Sequence, residues 1–201
     1  MATKARPPHG RAHAARKFPL KSVAPPPDRA GGLTPAYLTD PTPMKLSDFV
    51  VSDAILPELA ATGRDEAIHE MVDALIAAKA VPKNLRDEMI KSILDREKHG
   101  STGFGKGVAV PHVKHEKIKN VTACVAVSKQ GVDFNALDKE PVFSIFLLAS
   151  PKDRPDEHLQ AMENLFANLQ SEMFRKFLRQ AETVEAVADV LGEADAGQYA
   201  R

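Results

Sequence analysis

A nine-residue apolar run, Pro141 to Ala149 (PVFSIFLLA), limits what this chain can fold into more than any other stretch. A membrane helix needs about 18 apolar residues, so the run is too short to span a bilayer. It also lacks the alternation of a strand with one face in water. A near-continuous run of this length fits a strand buried on both faces. Such a strand needs one layer above it and one below.

The flanking segments have the periods of those layers. Thr62-Gly-Arg-Asp65 places a carboxylate three residues after a hydroxyl, the pattern of a capping box. Ile68, Met71, Val72, Leu75 and Ile76 follow at helical spacing, and Pro82 closes this helix. Asn84 and Asp87 are candidate caps for a second helix, with Leu85, Met89, Ile90, Ile93 and Leu94 inward and Gly100 as its stop. The period then changes. Val108 to Val110 and Val121 to Val127 read as strands, and Gln130-Gly131 and Asn135 to Lys139 as turns. Beyond the apolar run, His158, Leu159, Met162, Leu165, Phe166 and Leu169 share one helix. Phe174, Phe177 and Leu178 share a second, and Val184, Val187 and Leu191 a third. The expected fold is α/β: a single-domain three-layer sandwich over residues 44–195, its mixed β-sheet flanked by helices, with residues 196–201 a C-terminal tail.

Residues 1–43 differ in kind. They hold nine of the 15 prolines, and seven Lys/Arg against two Asp, a net +5 in a chain of 27 basic and 27 acidic residues. Such a segment buries too little apolar surface to offset its ordering entropy, so a disordered basic tail is expected. It fits a tether to an acidic partner, an organellar transit peptide, or sequence upstream of a true start at Met44. Overall neutrality argues against a dedicated nucleic-acid binder. With one cysteine, Cys124, no disulfide forms within the chain, which suits a reducing compartment. No signal-peptide core or membrane-length run is present, so a cytoplasmic protein that is not membrane-inserted is expected.

Between the second helix and the first strand lies GSTGFGKGVAVPH, Gly100 to His112. Gly100, Gly105 and Lys106 have the spacing of a nucleotide-binding P-loop. That loop needs a strand before it, a helix after it and a hydroxyl following the lysine. Here a helix precedes, a strand follows, and Gly107 stands after Lys106. ATP or GTP binding is therefore rejected. What remains is a flexible loop feeding a short strand that ends Pro111-His112, with the proline fixing the backbone just before the histidine. Locally, His112 is either a satisfied structural histidine or a presented imidazole. His112 and His115, with His99 and His158, also make a metal site conceivable, although the first pair lacks helical i, i+4 spacing. Cys124, among small apolar residues, reads as core, and Met71, Met89 and Met162 as packing.

The segment REKHGSTGFGKGVAVPH, Arg96 to His112, closely resembles the active-site motif of the type 2 EIIA proteins of the phosphoenolpyruvate-dependent phosphotransferase system. These are the fructose/mannitol EIIA domains and their nitrogen-regulatory, PtsN-like relative. The resemblance runs from about Met44 to about Leu191 and includes "LSD", "FLLASP" and "HLQAM". It implies a phosphocarrier in which His112 is the phosphorylated nucleophile. Its donor would be the phosphohistidine of HPr or of the nitrogen-branch HPr. Its acceptor would be an EIIB cysteine on another chain, or the phosphate would serve as a signal to regulated proteins. His158 and Arg96 match the family's second histidine and its arginine. Ser101, Thr102, Gly103 and Gly105 would form a loop that stabilises the phosphoryl group. Neither nucleotide nor metal nor other cofactor is implied. The alternative is a non-catalytic EIIA-fold binding module that regulates partner proteins. Val113 and His115 depart from the pattern, where Gly or Ala often follows the motif histidine. An apolar docking face at Phe104, Val110 and Val113 is expected around the site.

Overall fold

The computed structural model describes residues 44–199. The segment read as a disordered basic tail, 1–43, lies outside the described residues, as do 200 and 201.

The apolar run forms β5, Val142–Pro151, at the centre of a five-stranded mixed sheet. Along one edge of β5 run β2 (Val108–Ala109) and β3 (His112–His115), both parallel to it. Val108 faces Ser144 and His112 faces Leu148, the same offset, so β2 and β3 are one strand interrupted at Val110-Pro111. β4 (Thr122–Val132) pairs antiparallel with the other edge of β5. The short strand β1 (Gly103–Gly105) pairs antiparallel with β2.

Side chains alternate across the sheet and divide the interior in two. Ala109, Cys124, Ala126, Ile145 and Leu147 point to one core, covered by α2 (Arg64–Ala77) and α3 (Arg86–Lys98). Val108, Val125, Phe146 and Leu148 point to the other. That side is covered by α1 (Leu46–Phe49), α4 (Pro155–Gln170), α5 (Glu172–Gln180) and α6 (Val184–Asp195). This is the expected α/β sandwich, and β5 is buried on both faces.

The glycine run has a plain structural use. Lys106 and Gly107 both have positive φ, 60° and 75°, between the paired residues Gly105 and Val108. That is the signature of a two-residue type I′ hairpin turn, which the twist of paired strands favours. The P-loop spacing is thus a hairpin between β1 and β2.

Several element ends differ from the sequence reading. The N-cap of α2 is Gly63, without a side-chain cap, so Thr62 does not close a capping box. The helix ends at Ala77, five residues before Pro82. Lys79 adopts φ 59°, with Lys79 N–H bonded to Ile76 O and Ala80 N–H to Leu75 O, both at 3.0 Å. This is a Schellman ending with lysine where glycine is usual. α3 begins after Leu85, and neither Asn84 nor Asp87 caps it. Gln130-Gly131 is no turn: β4 continues to Val132 across an irregular register, with Gly131 N–H held by Ser128 Oγ at 3.1 Å. After α6, residues 196–199 turn back, and Tyr199 packs its ring against Phe174 and Phe177. Its hydroxyl donates to the Glu193 carboxylate.

Candidate active site

His112 opens β3, directly after the break at Val110-Pro111. Its Nδ1 lies 2.9 Å from the carbonyl oxygen of Val110. A carbonyl only accepts, so Nδ1 carries the proton and Nε2 keeps a free lone pair. Burial pushes the imidazole below its ordinary 6.5; the Val110 bond opposes this, and the Arg96 charge adds to it. The ring is therefore neutral at pH 7 and only partly buried.

His158 stands on the first turn of α4, with its ring centroid 5.6 Å from that of His112. It is 8% exposed, and its Nδ1 meets Ser150 Oγ at 2.9 Å. Burial, followed by the charge of Lys114 and then of His112, lowers its pKa to about 4. Two histidines 46 positions apart in sequence thus meet as neutral rings. Arg96 sits in the last turn of α3, where its Nη1 donates to Gly100 O at 2.6 Å. That bond ties the guanidinium to the start of the loop, close enough for its charge to act on His112.

The loop is held mainly by polar groups of the segments on either side of it. Glu97, with a fully buried side chain, accepts the Thr102 N–H at 2.9 Å through Oε2. Ser101 Oγ donates to Phe134 O at 2.9 Å and accepts the Gly103 N–H at 3.1 Å. Gly103 passes so close to Ala136 that an added Cβ would lie 3.0 Å from its Cα, so glycine is needed for the approach. At Gly105 the neighbour is Asp138, whose carboxylate accepts the Lys106 N–H at 3.0 Å. Thr102 Oγ1 and Glu97 Oε1 are buried without a hydrogen-bond partner among the described residues, although Glu97 Oε1 lies 3.8 Å from Arg96 Nη1.

The remaining candidates lie elsewhere. His115 is three residues from His112 on the same strand, so its side chain leaves by the opposite face. Its Nδ1 accepts the Lys117 N–H at 3.1 Å, and its Nε2 lies 3.1 Å from the Glu88 carboxylate, joining β3 to α3. His99 is exposed, with Nδ1 on the Asp95 carbonyl. Among the described residues no three His, Cys, Asp or Glu side chains gather as a metal would need. Cys124 is buried, its thiol donating to Ala54 O at 2.9 Å, and burial pushes its pKa up. The expected docking face is corrected. Val110 and Val113 are 1% and 7% exposed and enter opposite cores, because they are three residues apart on one strand. Of that trio only Phe104 reaches the surface region, tilted against Phe166 at 5.1 Å. The sequence reading assigned no role to Glu97 or Ser150. Glu97 lies in the quoted motif beside Arg96, and Ser150 in the FLLASP stretch, but neither was given a role there.

A partly buried, neutral imidazole with one bare nitrogen lies at a sheet edge, beside a second histidine and an arginine-anchored loop. The family model described as "Phosphoenolpyruvate-dependent sugar phosphotransferase system, EIIA 2" matches residues 48–194. The chain belongs to this EIIA type 2 family. It is 33% identical over 148 residues to a nitrogen regulatory protein of Bradyrhizobium diazoefficiens, covering 74% of this chain and 95% of that one. It is also 33% identical over 152 residues to the fructose-specific EIIABC component of Bacillus subtilis, covering 76% of this chain but 24% of that protein. The crystal structure of the nitrogen regulatory protein IIA-Ntr from Neisseria meningitidis superposes with a TM-score of 0.65 at 26% identity, covering 72% and 97% of the two chains. No described helix is long and apolar enough to cross a membrane.

Proposed function

We propose that the protein is a phosphohistidine carrier of the phosphotransferase system that accepts its phosphoryl group on His112 Nε2. The observation that carries this reading is the bond from His112 Nδ1 to the Val110 carbonyl. It fixes the tautomer with Nε2 bare, the form in which imidazole is a nucleophile.

In the transfer, the Nε2 lone pair forms a bond to the phosphorus of a donor phosphohistidine. The donor's P–N bond breaks, and its electron pair returns to the donor ring. No proton need leave His112 at this step. Positive charge that develops on its ring is shared through Nδ1–H with the Val110 carbonyl. The charge on the equatorial oxygens is met by Arg96, by His158 and by the loop, so that catalysis is positioning and electrostatics. Within the loop, Ser101 and Gly103 hold the backbone in shape, Gly105 fits it against Asp138, and Thr102 supplies the hydroxyl that has no internal partner.

The donor is HPr or its nitrogen-branch equivalent, and the work is cytoplasmic. The group passes to an EIIB cysteine on another chain, or its presence is read by regulated proteins. Cys124 cannot stand in for that acceptor, being buried with its thiol on Ala54 O.

The test is intact mass after incubation with phosphoenolpyruvate, enzyme I and HPr. Wild type and His115→Ala should gain an acid-labile, base-stable phosphoryl adduct, and His112→Ala should gain none. Equal loss in both variants would mean a misplaced nucleophile. No adduct on wild type, with donors active on a control EIIA, would leave a binding module.

A further inference from the structure

The two site histidines have opposite partners at Nδ1. His112 meets a carbonyl, and His158 meets a hydroxyl. A carbonyl can only accept; a hydroxyl has a proton to place. Ser150 is fully buried on β5, and among the described residues its Oγ has no partner other than His158 Nδ1. If His158 Nδ1 carried a proton and donated it to Ser150, the serine's own proton would be left in the core with no acceptor. A buried donor left without an acceptor is disfavoured, because it loses its water and gains no partner in return. The lower-energy arrangement has Ser150 Oγ–H donating to a bare Nδ1.

We infer that Ser150 is a positioning residue that fixes His158 as its Nε2–H tautomer, so that His158 is the hydrogen-bond donor to the phosphoryl group carried by His112. The inference rests on the phosphocarrier reading and adds a division of labour to it. One residue type supplies both halves of the site. The carbonyl of Val110 leaves His112 Nε2 without a proton, as nucleophile. The hydroxyl of Ser150 leaves His158 Nε2 with one, as donor. No proton is transferred by His158 in this role. The surroundings agree: the ring is neutral at pH 7, so its tautomer decides what Nε2 offers. Ser150 is held in register opposite Lys114, two residues along β3 from His112, so the sheet places serine and nucleophile together.

The test uses the full chain, 15N-labelled, at neutral pH. Long-range proton–nitrogen correlations of the imidazole rings are assigned with His112→Ala and His158→Gln. His158 should show a pyridine-like Nδ1 and a protonated, pyrrole-like Nε2, and His112 the reverse. A His158 ring protonated at Nδ1 overturns the inference on wild type alone, whatever the variants do. In Ser150→Ala the His158 tautomers should mix. Transfer from phosphorylated HPr to His112 should slow about tenfold, the weight of one ordinary hydrogen bond. Ser150→Thr, which keeps the hydroxyl, should recover most of the rate. An unchanged spectrum and rate in Ser150→Ala would also overturn it. If wild type takes up no phosphoryl group, the phosphocarrier reading fails separately, and the ring spectra still decide whether Ser150 sets the tautomer.

Discussion

Both imidazoles of the site sit where protonation is disfavoured, and this has consequences in acid. For His158 the folded-state pKa is about 4, against an ordinary 6.5. Between those values the unfolded chain binds a proton that the native chain does not, so stability rises with pH across the window. The contribution is complete above about pH 6.5 and lost progressively towards pH 4. Urea midpoints should therefore fall more steeply from pH 7 to pH 5 in wild type than in His158→Gln; parallel slopes would refute the assignment. His112 is shifted in the same direction, mainly by burial. Phosphoryl uptake should then hold a plateau from about pH 8 to below the ordinary histidine range and fall only in stronger acid. A rate falling with an apparent pKa above 6.5 would contradict that. At this scale the motif made His112 and Arg96 legible, because they share one continuous stretch. The carbonyl that sets the tautomer was not legible, since any residue at Val110 would supply one.

Helix ends were the least readable elements, and α2 shows why. Pro82 is the conspicuous breaker, yet the helix stops at Ala77, and the residue that reverses the chain is Lys79 in the left-handed region. A lysine in that conformation has no sequence signature. It also costs about 1 kcal/mol relative to glycine. Lys79→Gly should raise unfolding free energy by up to about 1 kcal/mol, less whatever the freer unfolded chain takes back. A loss of stability would show that the lysine side chain matters more than its φ. The β1–β2 turn gives the opposite case. Gly107 has φ 75°, and an added Cβ would sit 3.1 Å from the Phe143 ring. Gly107→Ala should destabilise by about 1–2 kcal/mol, checked by the same denaturation. The Gln130-Gly131 pair misled for a related reason. Glycine at positive φ is common in turns, but Gly131 bends a strand that goes on, and a Cβ there would meet Pro141 at 2.7 Å.

The layered fold was readable as a whole because one strand carries it. Ile145 and Phe146 are neighbours on β5 that enter different cores, and both are fully buried. Neither core can come apart without uncovering the other's floor, so unfolding should be a single transition. Ile145→Ala and Phe146→Ala should cost about 2–5 and 3–5 kcal/mol respectively. Fluorescent or circular-dichroism probes of either layer should give coincident curves; separate midpoints would mean the cores unfold independently. The broken strand was not readable. Val108 to Val110 suggested one short strand ending at Pro111-His112, whereas β2 and β3 keep a common register along β5 across the proline. Register is a property of the partner, and no single segment records it.

The break at Val110-Pro111 also bears on how such a protein is heard. Val110 gives its N–H to Thr102 O at 3.2 Å and its carbonyl to the His112 ring, and neither to β5. His112 itself is paired with Leu148, and the Pro111 carbonyl accepts the Leu148 N–H at 2.9 Å, so the sheet holds the histidine's backbone in place. On the carrier reading, full and empty forms share one backbone, and the message is only a patch of negative charge. At physiological ionic strength such a patch fades over about 8 Å. A listener must cover the histidine itself to tell the two forms apart, and while it does so no donor or acceptor can reach the cargo.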